Sequence, residues 1–213
     1  MLNQGIQLSG ENQEFFILGR LQSLRSRLPA DFKVRRILDF GCGTGLSTRH
    51  LADQFDGAEV LGVDTSENAL SYGRRQWGSE RVRFCGVEEL DCGTGFDLCY
   101  VNGVFHHIAV SQRPRAIRSI YRALRDGGRL ALFENNPWNP GARLVMKRIP
   151  FDRDAQMLSL LETIRLIRAG GFIQPATYWS VFYFPRPLAS LRFLEGPLSH
   201  LPLGAQYCVQ AVK

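Results

Sequence analysis

The sequence predicts an α/β fold, in which helices cover both faces of a doubly wound, mostly parallel sheet. Three observations support this prediction. Short apolar runs alternate with segments of helical spacing along most of the chain. The apolar run of residues 34–40 leads directly into Gly41, Gly43 and Gly45, and a helical segment follows. The length of 213 residues suits one domain, residues 1–213, with a single core.

The predicted elements follow from apolar periodicity and from the residues that end each run. Residues 1–30 are predicted as an N-terminal helical arm, because Phe15, Leu18 and Leu21 recur at helical spacing and Pro29 ends the helix. Further helices are predicted at residues 46–55, 68–76, 114–124 and 155–169. Strands are predicted at residues 34–40, 59–63, 81–85, 96–101, 130–133, 172–184 and 205–212.

Composition and charge exclude few function classes. Apolar residues make up 45% of the chain and charged residues 22%, as in ordinary globular proteins. We see no apolar run of membrane-spanning length and no secretory signal, so we expect a cytoplasmic protein. The five cysteines form no Cys-x-x-Cys pair and no zinc pattern, which predicts reduced thiols and no metal. The net charge of +6 is compatible with an anionic substrate, RNA or an anionic membrane surface.

The glycine-rich turn predicts a nucleotide-binding crevice. Glycine allows positive φ and close approach of the backbone to a ligand, while the helix N-terminus offers free N–H groups. Asp39 lies two residues before Gly41, and the spacing is Gly-x-Gly-x-Gly rather than Gly-x-Gly-x-x-Gly. The spacing and Asp39 disfavour a nicotinamide enzyme, an alternative that predicts tolerance of Asp39→Ala. Asp64 ends the second strand about 20 residues later, where an acid can accept hydrogen bonds from ribose hydroxyls.

Two stretches carry a resemblance to a known family. The stretch Asp39–Gly45 resembles the first motif of the class I S-adenosylmethionine-dependent methyltransferases. The stretch Asn102–Ile108, after the fourth strand, resembles the fourth motif in the branch that includes ubiquinone- and menaquinone-type enzymes. The resemblance covers roughly residues 14–213. It implies a seven-stranded sheet of order 3-2-1-4-5-7-6 with the last strand antiparallel.

The same resemblance implies a binding site for S-adenosyl-L-methionine and its product S-adenosyl-L-homocysteine. The turn would lie under the methionine half of the cofactor, with Asp39 accepting from the ammonium group and Asp64 holding both ribose hydroxyls. Val87 and Glu88 are the nearest matches in the adenine loop, which is one residue short. The implied cofactor-binding residues are Asp39, Gly41, Cys42, Gly43, Gly45, Asp64, Thr65, Val87, Glu88 and Asn102.

Methyl transfer from a sulfonium is an in-line displacement, so the protein mainly aligns nucleophile, methyl carbon and sulfur. Such positioning supplies about 7–11 kcal/mol, and a general base adds about 10²–10⁴-fold when the nucleophile must lose a proton. His106 and His107 follow the fourth strand and are candidate bases, as is Glu134 at the tip of the fifth strand. Alternatively, one of the histidines caps or packs the following helix.

Residues 134–154 carry no regular pattern, and long loops inside compact domains are often functional. Residues 134–157 are therefore predicted to form a substrate lid together with the first helix, and Trp138 and Arg143 are predicted to contact an aromatic or anionic acceptor. A solvated basic loop is the alternative. The expected acceptor is a small lipid-, quinone- or saccharide-related molecule.

Two other functions stay open at this point. A cofactor-binding partner subunit without catalysis is compatible with the short adenine loop. An RNA methyltransferase is compatible with a recurrent series of arginines, which could equally be a solvated helix face: Arg115, Arg118, Arg122 and Arg125. The sequence does not indicate an oligomeric state.

Overall fold

The computed structural model describes residues 9–92, 95–152, 154–172 and 176–213. Its centre is one seven-stranded sheet in the order β3-β2-β1-β4-β5-β7-β6, which confirms the predicted order. Strand β7 is antiparallel to both of its neighbours, and the pairs among β1 to β5 are parallel. The strands are β1 (Arg36–Phe40), β2 (Glu59–Asp64), β3 (Val82–Gly86), β4 (Phe96–Asn102), β5 (Leu124–Asn135), β6 (Thr177–Val181) and β7 (Gln206–Val212).

Helices and short 3₁₀ turns connect the strands. No helix in the described ranges is both long and apolar enough to cross a membrane. The helices are α1 (Gln13–Arg25), α2 (Leu46–Gln54), α3 (Glu67–Trp77), α4 (Arg113–Ala123), α5 (Pro140–Arg148), α6 (Leu160–Ala169) and α7 (Glu195–Leu198). The 3₁₀ turns are Val87–Cys92, Pro150–Asp152 and Arg186–Leu194.

The central strands are mainly apolar because both faces of the sheet are covered. Successive side chains of a strand point to opposite faces. Leu38 and Cys99 therefore belong to the core shared with α4 and α6, whereas Ile37, Leu98 and Tyr100 belong to the core shared with α1 and α2. The two cores hold the sheet between two helical layers, and neither layer is built on the carboxyl ends of the strands.

Several predicted boundaries differ from the observed ones, and the strand predicted at residues 130–133 spans Leu124–Asn135. Helix α6 was predicted from residue 155, but it begins at Leu160 because Ser159 and Glu162 form a capping box. The strand predicted at residues 172–184 covers only Thr177–Val181 among the described residues, since Phe182 has a left-handed backbone with φ of 62°. Residues 1–8, 93, 94, 153 and 173–175, which several predicted elements include, lie outside the described residues.

The segment predicted as irregular contains a helix, so that prediction is wrong for residues 140–148. Asn139 caps α5, because its Oδ1 accepts a hydrogen bond of 2.9 Å from the Ala142 N–H. Pro140 occupies the first turn, where its fixed φ suits a helix and a missing N–H costs nothing. An Asn-Pro pair is thus a helix start signal that the loop-like composition concealed.

The arginine series does not form one continuous stripe. Arg115, Arg118 and Arg122 are exposed on α4. Arg125 lies beyond the end of that helix, and its Nε donates a hydrogen bond of 2.6 Å to Asp97 Oδ1. Arg125 therefore joins the ends of neighbouring strands instead of extending the exposed basic face.

Candidate active site

The ligand-type stretches meet at the carboxyl edge of the parallel strands. Phe40 at the end of β1 pairs with Val63 of β2 and with Val101 of β4. Asn102 at the end of β4 pairs with Phe133 of β5. Ligands of open α/β sheets bind at this edge, where the strand order reverses on either side of β1.

The glycine-rich turn folds back onto β2. The N–H groups of Gly41 and Cys42 donate to the Val63 carbonyl at 2.8 and 3.0 Å, which holds the turn close to the second strand. A side chain at Gly41 would lie 2.3 Å from Val104, but one at Gly43 would meet no protein atom within 4 Å. Free space for a ligand therefore lies over Gly43.

Cys42 and Gly45 have structural environments. Cys42 is buried in the core, and burial strongly raises the pKa of its thiol. A Cβ at Gly45 would lie 2.6 Å from the Phe84 ring, so α2 packs closely against β3. The Cys42 side chain and the space beside Gly45 thus belong to the protein interior, although both residues lie in the predicted cofactor turn.

Asp39 is a buried carboxyl group below the turn, with 2% of its surface exposed. Its Oδ2 accepts a hydrogen bond of 2.7 Å from Thr48 Oγ1. Burial raises the pKa of Asp39 to about 7, the hydrogen bond from Thr48 opposes this, and the charge of Asp64 adds to it. A cation bound nearby would favour ionised Asp39, because opposite charges stabilise each other.

Asp64 connects two backbone segments of the crevice. Its Oδ2 accepts from Gly43 N–H at 2.8 Å and its Oδ1 from Ser66 N–H at 2.9 Å. Each carboxylate oxygen has a second lone pair, so Asp64 can still accept from two hydroxyls of a ligand. Thr65 is exposed, and Ser66 rather than Thr65 caps α3.

The predicted adenine loop is a 3₁₀ turn. Val87 is half-buried and Glu88 is exposed. Glu89 accepts the hydrogen bond of Gly86 N–H at 3.0 Å, and a Cβ at Gly86 would collide with the Glu88 carboxylate. Both acids therefore fold back over the end of β3.

Asn102 carries an unsatisfied buried acceptor. Its Oδ1 is buried and has no hydrogen-bond partner among the described residues. Such a group costs about 1–3 kcal/mol, which a ligand N–H would recover. Asn102 and Gly103 border the large cavity described next. The unpaired oxygen therefore lies where a ligand in the crevice and a ligand in the cavity would meet.

A cavity of about 690 Å³ adjoins the ends of β4 and β5. Its walls are mainly apolar side chains of α1 and α5, including Phe16, Ile17, Val145 and Met146. The two segments predicted as the lid, residues 134–157 and the first helix, both contribute to these walls. A volume of this size is typical of pockets for small molecules.

Trp138 and Arg143 lie away from this cavity. Trp138 is 58% exposed, Arg143 is exposed, and neither lines the walls. Helix α5 instead buries Ala142 and Met146 on its inner face. The inner face has a signal in the sequence, because four apolar residues recur at helical spacing: Ala142, Val145, Met146 and Ile149. The prediction of Trp138 and Arg143 as acceptor contacts did not use it.

Arg20 is a buried cation in the cavity wall, with 5% of its surface exposed. Its Nε donates to Tyr100 Oη and its Nη1 to Gln206 Oε1, both at 3.0 Å. No carboxylate of the described residues forms a salt bridge with Arg20. It could have been noticed in the sequence, because an arginine between Ile17 and Leu24 interrupts the apolar stripe of α1.

The structure brings His106, His107 and Glu134 together. His106 Nδ1 lies 2.6 Å from Glu134 Oε2, while Glu134 Oε1 accepts from Phe105 N–H at 2.7 Å. Asp152 completes the group, with its Oδ1 3.2 Å from His107 Nε2 and 3.8 Å from His106 Nε2. Asp152 was missed in the sequence because 45 residues separate it from His107 and no short spacing links them.

Comparison with known proteins adds the family. Residues 37–128 match the family described as a methyltransferase domain. The sheet order is that of class I. The chain thus resembles a methyltransferase domain over residues 37–128. It is 27% identical over 193 residues to a trans-aconitate 2-methyltransferase of Rhodopseudomonas palustris, covering 90% of this chain and 72% of that protein.

Other similar proteins and structures are also methyltransferases. A demethylmenaquinone methyltransferase of Symbiobacterium thermophilum is 33% identical over 106 residues, covering 46% of this chain and 41% of that protein. A methyltransferase structure from Archaeoglobus fulgidus shares the fold with a TM-score of 0.70 at 15% identity, covering 97% of both chains. The chain spans 36% to 72% of the length of the trans-aconitate relatives.

The pKa values of His106 and Asp152 are shifted in opposite directions. Burial lowers the pKa of His106, but the charges and hydrogen bonds of Glu134 and Asp152 outweigh it and raise the pKa to about 9. Burial raises the pKa of Asp152, yet its hydrogen bonds with His106 and His107 lower it to about 2. Without a ligand, His106 is thus an imidazolium between two acids at neutral pH.

Proposed function

We propose that this methyltransferase domain transfers a methyl group from S-adenosyl-L-methionine to a small acceptor that carries an anionic group. The observation that carries the proposal is that one cavity is lined both by Ser47, which follows the glycine-rich turn, and by Asn102 and Gly103 after β4. The crevice over Gly43 supplies a cofactor site, and the cavity of about 690 Å³ supplies room for an acceptor. An in-line displacement needs both reactants on opposite sides of one methyl carbon.

The residues of the crevice fit the cofactor. Asp39 is suited to the ammonium group, since a nearby cation would favour its ionised form. Asp64 retains acceptor capacity for ribose hydroxyls, and the unpaired Asn102 Oδ1 can accept from a cofactor N–H. When bound, the cofactor supplies an activated methyl group on a sulfonium. The protein's own part is to hold the donor over Gly43 with its methyl group toward the cavity.

The cavity favours a small acid with an apolar part. Phe16, Ile17 and Met146 exclude water and restrict the orientation of the acceptor. Arg20 forms no salt bridge with a carboxylate in the described part of the chain, and its guanidinium is shaped to bind a carboxylate or phosphate. Because relatives are named trans-aconitate 2-methyltransferases, trans-aconitate is the first acceptor to test, and a demethylmenaquinone is the second.

His106, His107 and Glu134 are proposed to orient the acceptor and to handle a proton where one is lost. His106 and His107 line the cavity, and the ion pair with Glu134 fixes the His106 ring. A carboxylate acceptor is already ionised at neutral pH, so its methylation depends on alignment alone. A hydroxyl or amine acceptor would in addition use the proton-accepting capacity of this group.

The test combines binding with turnover. Calorimetry with S-adenosyl-L-methionine and S-adenosyl-L-homocysteine should show binding of both at one site per chain. Incubation with labelled cofactor and a panel of small carboxylates, including trans-aconitate, and quinone precursors should give one product about 14 Da heavier, the increment of one methyl group. Absence of cofactor binding would contradict the proposal, whereas binding without turnover on any acceptor would favour the non-catalytic partner subunit.

A further inference from the structure

We propose that His106, His107 and Asp152 form a binding site for one divalent metal ion of the zinc type in the wall of the acceptor cavity. This site goes beyond the proposed methyl transfer, which requires no metal. All three residues line the cavity, and each offers one ligand atom toward a common point.

The distances between the ligand atoms fit tetrahedral coordination. Bonds of about 2.0–2.1 Å at tetrahedral angles place two ligand atoms about 3.4 Å apart. Asp152 Oδ1 lies 3.2 Å from His107 Nε2 and 3.8 Å from His106 Nε2. All three ligand atoms lie within 4.8 Å of one another. Movements of the ligand atoms by up to about 1.4 Å would bring each pair to this separation.

Glu134 orients one of the ligands. Histidine ligands commonly direct their second ring nitrogen to a carboxylate, which fixes the ring and raises its basicity. His106 Nδ1 lies 2.6 Å from Glu134 Oε2, and Glu134 is fixed in turn by the Phe105 N–H. Nδ1 therefore serves Glu134, and Nε2 faces Asp152. Binding of an ion at Nε2 displaces the proton of the imidazolium, which leaves to solvent.

The segments that carry the ligands are held to each other. The guanidinium of Arg113, which is buried, donates to the carbonyls of Phe105 and Ile108 at 3.0 Å and to that of Gln156 at 2.7 Å. The N–H of Gln156 donates to the His106 carbonyl at 2.8 Å. The loop after β4 and the segment that contains Asp152 are thus joined before any ion binds, which reduces the entropy cost of assembling the site.

The ligand set selects the class of metal. Two imidazole nitrogens and one carboxylate oxygen suit zinc and neighbouring transition metals, whereas magnesium and calcium prefer oxygen ligands alone. Three protein ligands leave one tetrahedral position, as in zinc sites that bind small molecules. His107 is the most exposed of the three side chains, so this position faces the cavity. An oxygen of an acceptor or a water molecule would occupy it.

The direct test measures metal content and affinity on the full chain. Protein stripped with a chelator, incubated with ZnCl₂ and desalted should retain about one zinc ion per chain by mass spectrometry. With CoCl₂ it should show the intense visible bands of four-coordinate cobalt. His107→Ala and Asp152→Asn should each weaken zinc affinity more than about 10-fold, and Glu134→Gln by about 10–100-fold through loss of ligand orientation.

Two matched control variants test whether other imidazoles and carboxylates of the chain bind zinc. His200→Ala and Asp154→Asn, two exposed residues outside the group, should retain wild-type zinc affinity. Circular dichroism melting checks that Asp152→Asn, a substitution of equal size, is folded. Absence of zinc in the wild type, or wild-type zinc affinity in both ligand variants, would overturn the proposal. Calorimetry with S-adenosyl-L-homocysteine on metal-free protein tests the proposed function independently of this outcome.

Discussion

Thr48 Oγ1 donates a hydrogen bond of 2.7 Å to Asp39 Oδ2, deep below the glycine-rich turn. One hydroxyl does not replace the hydration that an ionised carboxylate loses on burial, so the pKa of Asp39 rises to about 7. The cofactor-free protein therefore contains a carboxyl group that is unfavourable when ionised. This relationship makes stability and ligand binding depend on pH at the same residue.

Asp39→Asn is expected to stabilise the cofactor-free protein at pH 8 relative to wild type. The folded-state pKa of Asp39 lies above the ordinary aspartate value of 3.8, so the native state binds more protons than the unfolded state between about pH 4 and pH 7. Wild-type stability contributed by this group therefore falls as pH rises through that window, by up to about 4 kcal/mol. Urea unfolding at pH 4 and pH 8 measures the difference.

Carboxylates far from Asp39 contribute equally to both proteins, so the change in the difference between pH 4 and pH 8 reports Asp39 together with its interaction with Asp64. Asp154→Asn, at an exposed position, is the control and should give a pH-independent offset. A constant offset for Asp39→Asn as well would show that Asp39 titrates normally. The same variant should weaken S-adenosyl-L-methionine binding, because its ammonium would lose a carboxylate.

Substitution of the three turn glycines by alanine should separate folding from binding. All three have positive φ, which costs a non-glycine residue about 1–2 kcal/mol. Gly41→Ala and Gly45→Ala would also collide with Val104 and Phe84 and should lower Tm most. Gly43→Ala meets no protein atom and should lower Tm least, yet abolish cofactor binding because its methyl group enters the ligand space.

Thermal melting and calorimetry on the same three variants measure both effects. Normal S-adenosyl-L-homocysteine affinity in Gly43→Ala would contradict the placement of the cofactor over this residue. Equal Tm values for the three variants would contradict the close packing described at Gly41 and Gly45.

Asp64→Ala should weaken S-adenosyl-L-homocysteine binding at least about 10-fold, since hydrogen bonds to a charged group contribute about 1.5–3 kcal/mol each. Asp64→Asn keeps one acceptor oxygen, so its affinity for S-adenosyl-L-homocysteine should lie between those of the alanine variant and the wild type. Asp53→Ala, which removes an exposed acid paired only loosely with Arg49, is the control. Because Asp64 also binds the Gly43 and Ser66 backbone, melting curves must accompany calorimetry. Unchanged affinity would exclude Asp64 from the ribose site.

Filling the cavity should affect the acceptor and spare the cofactor. Val145 lines the cavity, so Val145→Trp should raise the acceptor KM by at least about 10-fold through overpacking. Arg143 lies two residues away on the exposed face of α5, and Arg143→Ala should leave KM within about twofold. Steady-state kinetics decides between the faces. The reverse pattern would restore the original prediction that Arg143 contacts the acceptor.

Arg20→Gln should raise the KM of a carboxylate acceptor about 10–100-fold, because it removes a charge-assisted hydrogen bond. The S-adenosyl-L-homocysteine affinity should change little. Arg118→Gln on the exposed face of α4 is the control and should match wild type. Loss of cofactor affinity with an unchanged KM would instead assign Arg20 to the carboxylate of the cofactor's methionine half.

The family resemblance supplied the sheet order. The sequence by itself determined the alternation of strands and helices, the glycine-rich turn and the acids at positions 39 and 64. These features depend on local periodicity and on residue types at fixed short spacing, which a single chain displays directly. The helix start at Pro140 was readable in principle, since Asn139 and Pro140 are a local signal. It was missed because the surrounding composition resembled a loop.

Only the tertiary structure decided which distant side chains share the acceptor cavity. Asp152 lies 45 residues after His107 in the sequence. Arg20 donates to Tyr100 and Gln206, which follow it by 80 and 186 residues. The structure also shows that apolar side chains on the inner face of α5 line the cavity, whereas Trp138 and Arg143 do not. Contacts such as those of Asp152 and Arg20 arise from packing of whole elements, and their sequence separation leaves no periodic trace. The sequence therefore indicates His106, His107 and Glu134 as candidates, but neither the contact of the two histidines with Asp152 nor the place of Arg20 in the cavity wall.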